Sequence, residues 1–577
     1  MRLLKRSPLD RIFLFIILPL CWAGAQATAS GETGPVEKMK TYMNRLASFG
    51  FHGTVLVAKE GEVLLHSAYG LAQVNTGIRN STSTVFSTGS VTKQFTAAAV
   101  LLLEMDGKLS TGDSISRFFD NVPEDKAGAT VHHLLTHTAG LRSQFGPDDE
   151  SIARDDLTRI ILEAPLDSPV GSHYQYSNAG FSMLAAIVEI VSGTGYEAFL
   201  RERLFIPSGM HHTGLELLEI DNRLVSHSHN EGLGFPSPLD RPDNCWHLKG
   251  NGGILSTTMD MYRWHMTLQG SDLLSEAARK KMFTPYVREY EDGDSFYGYG
   301  WVIEEYRPGA RMIWHNGGAV PHGWSCAVYH FVDDGAVIIV FANKPIDGRL
   351  PVDDIVQNLA RILLEGECTM PPEIVEIKAE EFERYQGRYV LPGGGEIIVE
   401  VEDKEIRFKP EGQEAVNVLF PSEYEALLPK YNGMTEKLVN AIASGDYGRA
   451  RAFFDQRVES AEKWLAMIRE WWASFSQLGA FLNVRALGTR MGGGAQTYCE
   501  LEFERGSVIA RFFWMMGKCG GMRSNVEPMY KKLLPLSESR LGGYSLANGQ
   551  VVRAEFSPGG GLTIVTGERR LRATLMQ

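Results

Sequence analysis

The order of strand-rich and helix-rich segments predicts a mixed α/β (α+β) fold around an antiparallel sheet. Three observations carry that expectation. Residues 53–58 and 62–67 are β-rich runs around a Lys59-Glu60-Gly61 turn. A helical middle follows: an Ala- and Leu-rich helix over 90–105 stopped by Asp106-Gly107, a second over 179–191 ending at Ser192-Gly193, and a third over 259–268. Strands then return at 322–331 and 335–342 around Asp333-Asp334-Gly335, a hairpin turn. Such an order suits a sheet whose first and last strands come from opposite ends of the domain, and a helix near 352–365 closes the unit.

Composition changes at Met370-Pro371-Pro372. From Tyr385 to Phe420 short alternating strands with a Gly393-Gly394-Gly395 turn predict a small β-barrel or sandwich. A second boundary falls near 428–433. Helices over about 434–475, carrying Trp464, Trp471 and Trp472, then precede strands at 496–504 and 507–516 and a strand-rich tail from 540. The expected division is therefore a leader (1–27), a main domain (37–368), a small β-domain (371–427) and an α+β module (431–577).

The leader has the marks of an export signal. Arg2, Lys5, Arg6 and Arg11 precede an apolar run over 12–20, and Ala25-Gln26-Ala27 supplies small residues for cleavage. The run is too short for a membrane span, so a periplasmic or secreted protein with no stable span after cleavage is expected. The net charge of −13 becomes −16 once four basic residues and one acidic residue leave with 1–27. That acidity disfavours nucleic acid and anionic lipid as partners. Five cysteines outside the leader, without a CxxC pair, read as buried small hydrophobes rather than a disulfide scaffold, above all Cys326.

Ser90-Val91-Thr92-Lys93 opens the Ala-rich helix. Residues at i and i+3 share a helix face, so Lys93 can take the proton that makes Ser90 a nucleophile. The free N–H groups at a helix start suit a developing oxyanion. The pattern is weak alone, and Ser460-Ala461-Glu462-Lys463 repeats it inside a C-terminal helix. Its companions single out Ser90. Tyr176-Ser177-Asn178 offers a phenol that becomes a proton acceptor if an ammonium depresses its pKa, and an amide that can hold Lys93 or substrate. His315-Asn316-Gly317-Gly318 leads into the late hairpin, where glycine lets a substrate backbone approach and the Gly318 N–H can join that of Ser90 in an oxyanion hole.

These three elements, in this order and spacing, resemble the serine β-lactamase and penicillin-binding-protein superfamily. The nearest branch is that of class C β-lactamases, D-aminopeptidases and β-lactamase-like esterases. Leu134-Leu135-Thr136-His137-Thr138-Ala139-Gly140-Leu141 and Asn251-Gly252-Gly253-Ile254-Leu255-Ser256 resemble further signatures of that branch, so the likeness spans roughly 37–365. It implies an antiparallel sheet with a helical lobe and the site between them. Ser90 would be acylated, Lys93 and Tyr176 would share acid–base duty, and Asn178, His315, Gly317 and Gly318 would bind substrate. Typical β-lactamases carry Lys-Thr-Gly where this chain has His-Asn-Gly, and a largely neutral His315 lacks the charge that holds a substrate carboxylate. The expected substrates are D-amino-acid peptides, small esters or amides, or β-lactams, with a D-peptidase or esterase expected rather than an efficient β-lactamase. Residues 376–420 resemble a lipocalin-like accessory domain and 433–535 an NTF2-like cone.

No cofactor or metal is expected. His133 and His137 have ligand spacing, but Leu134 replaces the Glu of H-E-x-x-H, and no G-x-S-x-G elbow occurs. The expected partner is a small molecule or short peptide, cleaved through an acyl-enzyme. The alternatives are a catalytically weak binding or sensor protein on the same fold, and a C-terminal module that is itself the functional centre.

Overall fold

The computed structural model describes residues 34–576 apart from 149, 216–217, 230–236, 241–244, 319–322, 347–348, 455–460, 493, 516 and 547. The leader and Ser460 lie outside the described residues.

Eight antiparallel strands form the central sheet: β1 (Gly53–Lys59), β2 (Glu62–Tyr69), β3 (Val287–Arg288), β4 (Phe296–Tyr297), β5 (Val302–Arg307), β6 (Ala310–Gly318), β7 (Ser325–Phe331) and β8 (Ala336–Ala342). Their order is β2-β1-β8-β7-β6-β5-β4-β3, so the two ends of the domain meet where Val55 pairs with Val340. Strands β7 and β8 are buried throughout, because both sheet faces are covered. On one face lie α1 (Pro35–Ser48), with Tyr42 and Leu46, and a late helix (Val352–Ala360), with Ile355 and Leu359. The other face carries the helical lobe.

Two helices of that lobe position the site. In α2 (Lys93–Met105) every residue from Lys93 to Leu103 is buried, the mark of a helix enclosed on all sides. The expected helix over 90–105 is in fact a 3₁₀ turn, Gly89–Thr92, feeding α2. The tighter turn places residues three apart almost in line, which serves Ser90 and Lys93. In α3 (Asn178–Ser192), the Ser177 hydroxyl caps the start by accepting from the Gly180 N–H, and Gly193 ends the helix in the left-handed region.

The C-terminal half departs from the expected division. Strands β9 (Gly387–Val390), β10 (Glu396–Glu402) and β11 (Glu405–Glu411) do not form a self-contained unit. After them come a helix at Gln413–Leu419, where alternating strands were expected, and a long helix at Leu428–Ala443. The proposed boundary at 428–433 falls inside the latter, because Pro429 in the first turn fits a helix start. A four-stranded sheet, β12 (Phe481–Met491), β13 (Ala495–Phe503), β14 (Gly506–Met515) and β15 (Lys518–Ser524), packs with these helices. The chain then returns as β16 (Lys531–Lys532), β17 (Leu534–Ser537), β18 (Arg540–Tyr544), β19 (Val551–Phe556), β20 (Leu562–Thr566) and β21 (Arg569–Leu575). These six strands join the earlier three in one sheet of order β16-β11-β10-β9-β21-β20-β19-β18-β17. The helical and four-stranded unit is thus an insertion within a nine-stranded sheet. That sheet meets the catalytic domain at Tyr544, whose ring packs on Tyr42 and whose hydroxyl donates to the Thr369 carbonyl.

Ile339 is fully buried at the centre of the main sheet, opposite Leu56 on one neighbour and Val328 on the other. Ile339→Ala is expected to cost about 2–5 kcal/mol, read as a fall in the denaturation midpoint of the catalytic domain.

Candidate active site

Ser90, Lys93, Tyr176 and Asn178 meet at the junction of the 3₁₀ turn, α2 and the start of α3. The Lys93 side chain has no solvent exposure. Its Nζ lies 2.8 Å from Asn178 Oδ1, 2.9 Å from the Asn251 carbonyl and 3.1 Å from Ser90 Oγ. Burial pushes its pKa well below the usual lysine range, against a small opposing pull from Asp148. A neutral amine has two N–H groups and one lone pair. The two fixed carbonyl acceptors take the N–H groups, so the lone pair is left for the Ser90 hydroxyl.

Tyr176 is hydrogen-bonded to Ser90, and Lys93 Nζ sits 4.7 Å from its ring centre. The expectation of a depressed phenol pKa is corrected here. Desolvation raises the Tyr176 pKa above its usual value, by more than its hydrogen bond to Ser90 lowers it. Tyr176 therefore carries a proton to give rather than a site to receive one.

Strand β6 passes directly in front of the turn. A Cβ on Gly317 would come 2.1 Å from the Thr88 carbonyl and 2.6 Å from the Ser90 nitrogen; one on Gly89 would come 2.6 Å from the Gly318 nitrogen. Only glycine permits this approach, and it brings the Ser90 and Gly318 nitrogens into one small space. Behind it the buried Cys326 thiol donates to the Thr88 carbonyl.

His315 is on the same strand but plays a different part from the one expected. Both ring nitrogens are engaged within the protein. Nδ1 lies 2.6 Å from the Asn316 carbonyl, to which it donates, so Nε2 accepts from the Tyr297 hydroxyl at 3.0 Å. Burial, then Lys93, lowers its pKa to about 3. A neutral, internally bonded imidazole holds Tyr297 and offers a substrate carboxylate no charge.

Several groups here carried no decisive signal in the sequence. The Asn251 carbonyl acts through the backbone, and Tyr297 comes from the two-residue strand β4. His137 is buried and packs against Tyr176 with ring centres 4.4 Å apart and planes tilted by 34°, while its Nδ1 accepts from the Ser177 N–H. His133 instead completes the cap of its own short helix with Thr130. The site opens into a cavity of about 2240 Å³ whose wall includes Ser90 and Tyr176 and, from the C-terminal half, Phe420, Gln496, Arg511 and Lys531.

Residues 43–361 match the family model described as Beta-lactamase, more than half of the chain. Penicillin-binding protein 4* of Bacillus subtilis (strain 168) is 29% identical over 397 residues, covering 64% of this chain and 86% of that protein. A D-aminopeptidase of Brucella anthropi is 27% identical over 304 residues, covering 50% of this chain and 56% of that one. The octameric penicillin-binding protein homologue from Pyrococcus abyssi shares the fold, at 19% identity with a TM-score of 0.52, over 93% of this chain and 99% of its own. With that match over more than half of its length, and with a serine–lysine–tyrosine cluster at the start of a buried helix, the chain belongs to the beta-lactamase family and is a serine hydrolase of that fold.

Proposed function

We propose that this is an exported hydrolase that cleaves D-amino-acid peptides, small esters or amides through an acyl intermediate on Ser90. The observation that carries this reading is the Lys93 amine, dehydrated, bonded to Asn178 and Asn251, and turned toward the Ser90 hydroxyl. As Ser90 Oγ attacks the carbonyl carbon, its proton passes to Lys93. Negative charge on the carbonyl oxygen falls between the Ser90 and Gly318 N–H groups. Tyr176, still protonated, gives its proton to the departing amine or alkoxide and regains one from Lys93. Water then attacks the acyl-Ser90 by the reverse proton path.

The uncharged His315 supports peptides, esters and amides over β-lactams, and the D-aminopeptidase relative supports a D-configured substrate. The apolar leader with its small-residue cleavage site supports a periplasmic or secreted location. No observation on the site favours the binding-protein alternative, since every reactive group of the cluster is in bonding reach.

Treatment with a fluorophosphonate followed by intact mass measurement is expected to give one adduct, lost in Ser90→Ala and kept in Ser460→Ala. No adduct in the wild type defeats the proposal. Among chromogenic cephalosporin, short acyl esters and D-alanyl amides, the cephalosporin is expected to turn over slowest; its being fastest overturns the reading of His315.

Activity needs neutral Lys93, so kcat/KM is expected to rise with pH along a limb lying well below the usual lysine pKa, and to be lost in acid. A limb near pH 10.5 contradicts this. Lys93→Met, which keeps the buried volume, is expected to lower kcat by at least ~100-fold. Gly317→Ala, which drives a methyl group into Thr88 and Ser90, is expected to lower kcat by a similar ~100-fold; a steady-state ester assay reads both.

A further inference from the structure

Residues 164–177, which bring Tyr176 up to the start of α3, form no helix or strand. The preceding stretch 137–140 holds them through its carbonyls. Asp167 N–H donates to Gly140 at 2.9 Å, Gly171 N–H to Thr138 at 2.7 Å and Gln175 N–H to His137 at 2.8 Å. His137 contributes twice, because its Nδ1 also accepts from the Ser177 N–H at 3.0 Å. Gln175 and Ser177 are the chain neighbours of Tyr176, so one residue fastens the backbone on both sides of the phenol. Its imidazole also packs on the Tyr176 ring, 4.4 Å between centres.

Two features of His137 run against ordinary core packing. Its φ of 58° lies in the left-handed region, which a side chain other than glycine's adopts at a cost. Since Nδ1 accepts, the neutral ring carries its one N–H at Nε2, which is buried and has no hydrogen-bond partner among the described residues. Around it stand the rings of Tyr174, Phe181 and Tyr297, with centres 5.7, 5.0 and 4.7 Å from that of the imidazole. An apolar side chain with ordinary backbone angles would fill such a space without either cost. Strained backbone and unmet polar groups concentrate at functional sites, where the surroundings hold them. Here both costs accompany a single result: the carbonyl and Nδ1 of one residue reach the same short segment. His137 is not itself a proton carrier in this arrangement. Its lone pair is engaged by Ser177, and burial lowers its pKa well below the usual histidine range.

We infer that His137 is a positioning residue for Tyr176: its carbonyl, its Nδ1 and its ring together fix the phenol where it passes a proton to the leaving group. This role rests on the hydrolase reading above.

Leaving-group dependence of kcat/KM, which reads the steps up to acylation, tests the role. A methyl ester expels methoxide, which must be given a proton; a p-nitrophenyl ester expels a stable phenolate, which need not be. The full-length protein is assayed on both esters of butyrate and both esters of D-alanine. His137→Gly suits the backbone angle but removes ring and Nδ1. It is expected to lose at least ~10-fold more on the methyl than on the p-nitrophenyl ester. Tyr176→Phe is expected to show the same bias, and the double variant no additional bias. Asparagine tolerates a positive φ and offers an oxygen near the place of Nδ1, so His137→Asn is expected to recover at least ~3-fold of that bias without abolishing it. A side chain that merely fills the core predicts equal losses on the two esters. That result, biases that add in the double variant, or no recovery with asparagine each overturn the proposal. Melting curves check folding. If His137→Gly does not fold, His137→Asn decides alone: a bias of at least ~3-fold supports the role, and equal losses overturn it. Wild-type protein that turns over none of the four esters rejects the hydrolase reading, and the role with it.

Discussion

A lysine amine stripped of water sets the terms for everything around it. Lys93 is held toward its neutral form because α2 is buried on all sides and because the amine's nearest polar neighbours are uncharged oxygens. A carboxylate in hydrogen-bond contact would return the proton and remove the base. The fold enforces this arrangement from three directions: the 3₁₀ turn supplies Ser90, the start of α3 supplies Asn178, and a glycine-rich loop supplies the Asn251 carbonyl.

The same suppression of charge extends across the catalytic end of the cavity. His315 is held neutral, Tyr176 keeps its proton, and burial raises Asp353 to about 6 and Glu304 to about 7. Asp353 accepts hydrogen bonds from Asn316 and Tyr329, which ties the strand bearing Gly317 to the helix behind it.

What the sequence made legible was local. Ser90 and Lys93, Tyr176 and Asn178, and Gly317 and Gly318 are each close in the chain, and motif order was enough to bring the pairs together. The role of His315 was not legible, because it depends on Tyr297, a residue 18 positions earlier on the two-residue strand β4. Nor was the Asn251 contact, since a main-chain carbonyl leaves no mark in side-chain identity. The C-terminal half misled for a related reason. Residues 413–419 follow directly on alternating strands and were read with them, yet they pack as a helix against β11 and β12. Which strands pair is a long-range matter, and composition alone could not show that β9 finds its partner near residue 575.

That pairing has a consequence for how the molecule is made. Tyr389 and Val390 lie beside Leu575 and Thr574, and the chain between them must first be synthesised and, in large part, folded. The catalytic domain has no such wait, since its closing strands are complete by residue 342. During synthesis the early strands of the second sheet therefore stand for a long interval as an exposed edge, the kind of surface on which chains associate wrongly. The charged residues of β11, Glu405, Arg407 and Lys409, lie on the strand that stays an edge until β16 pairs with it at Arg407 and Phe408.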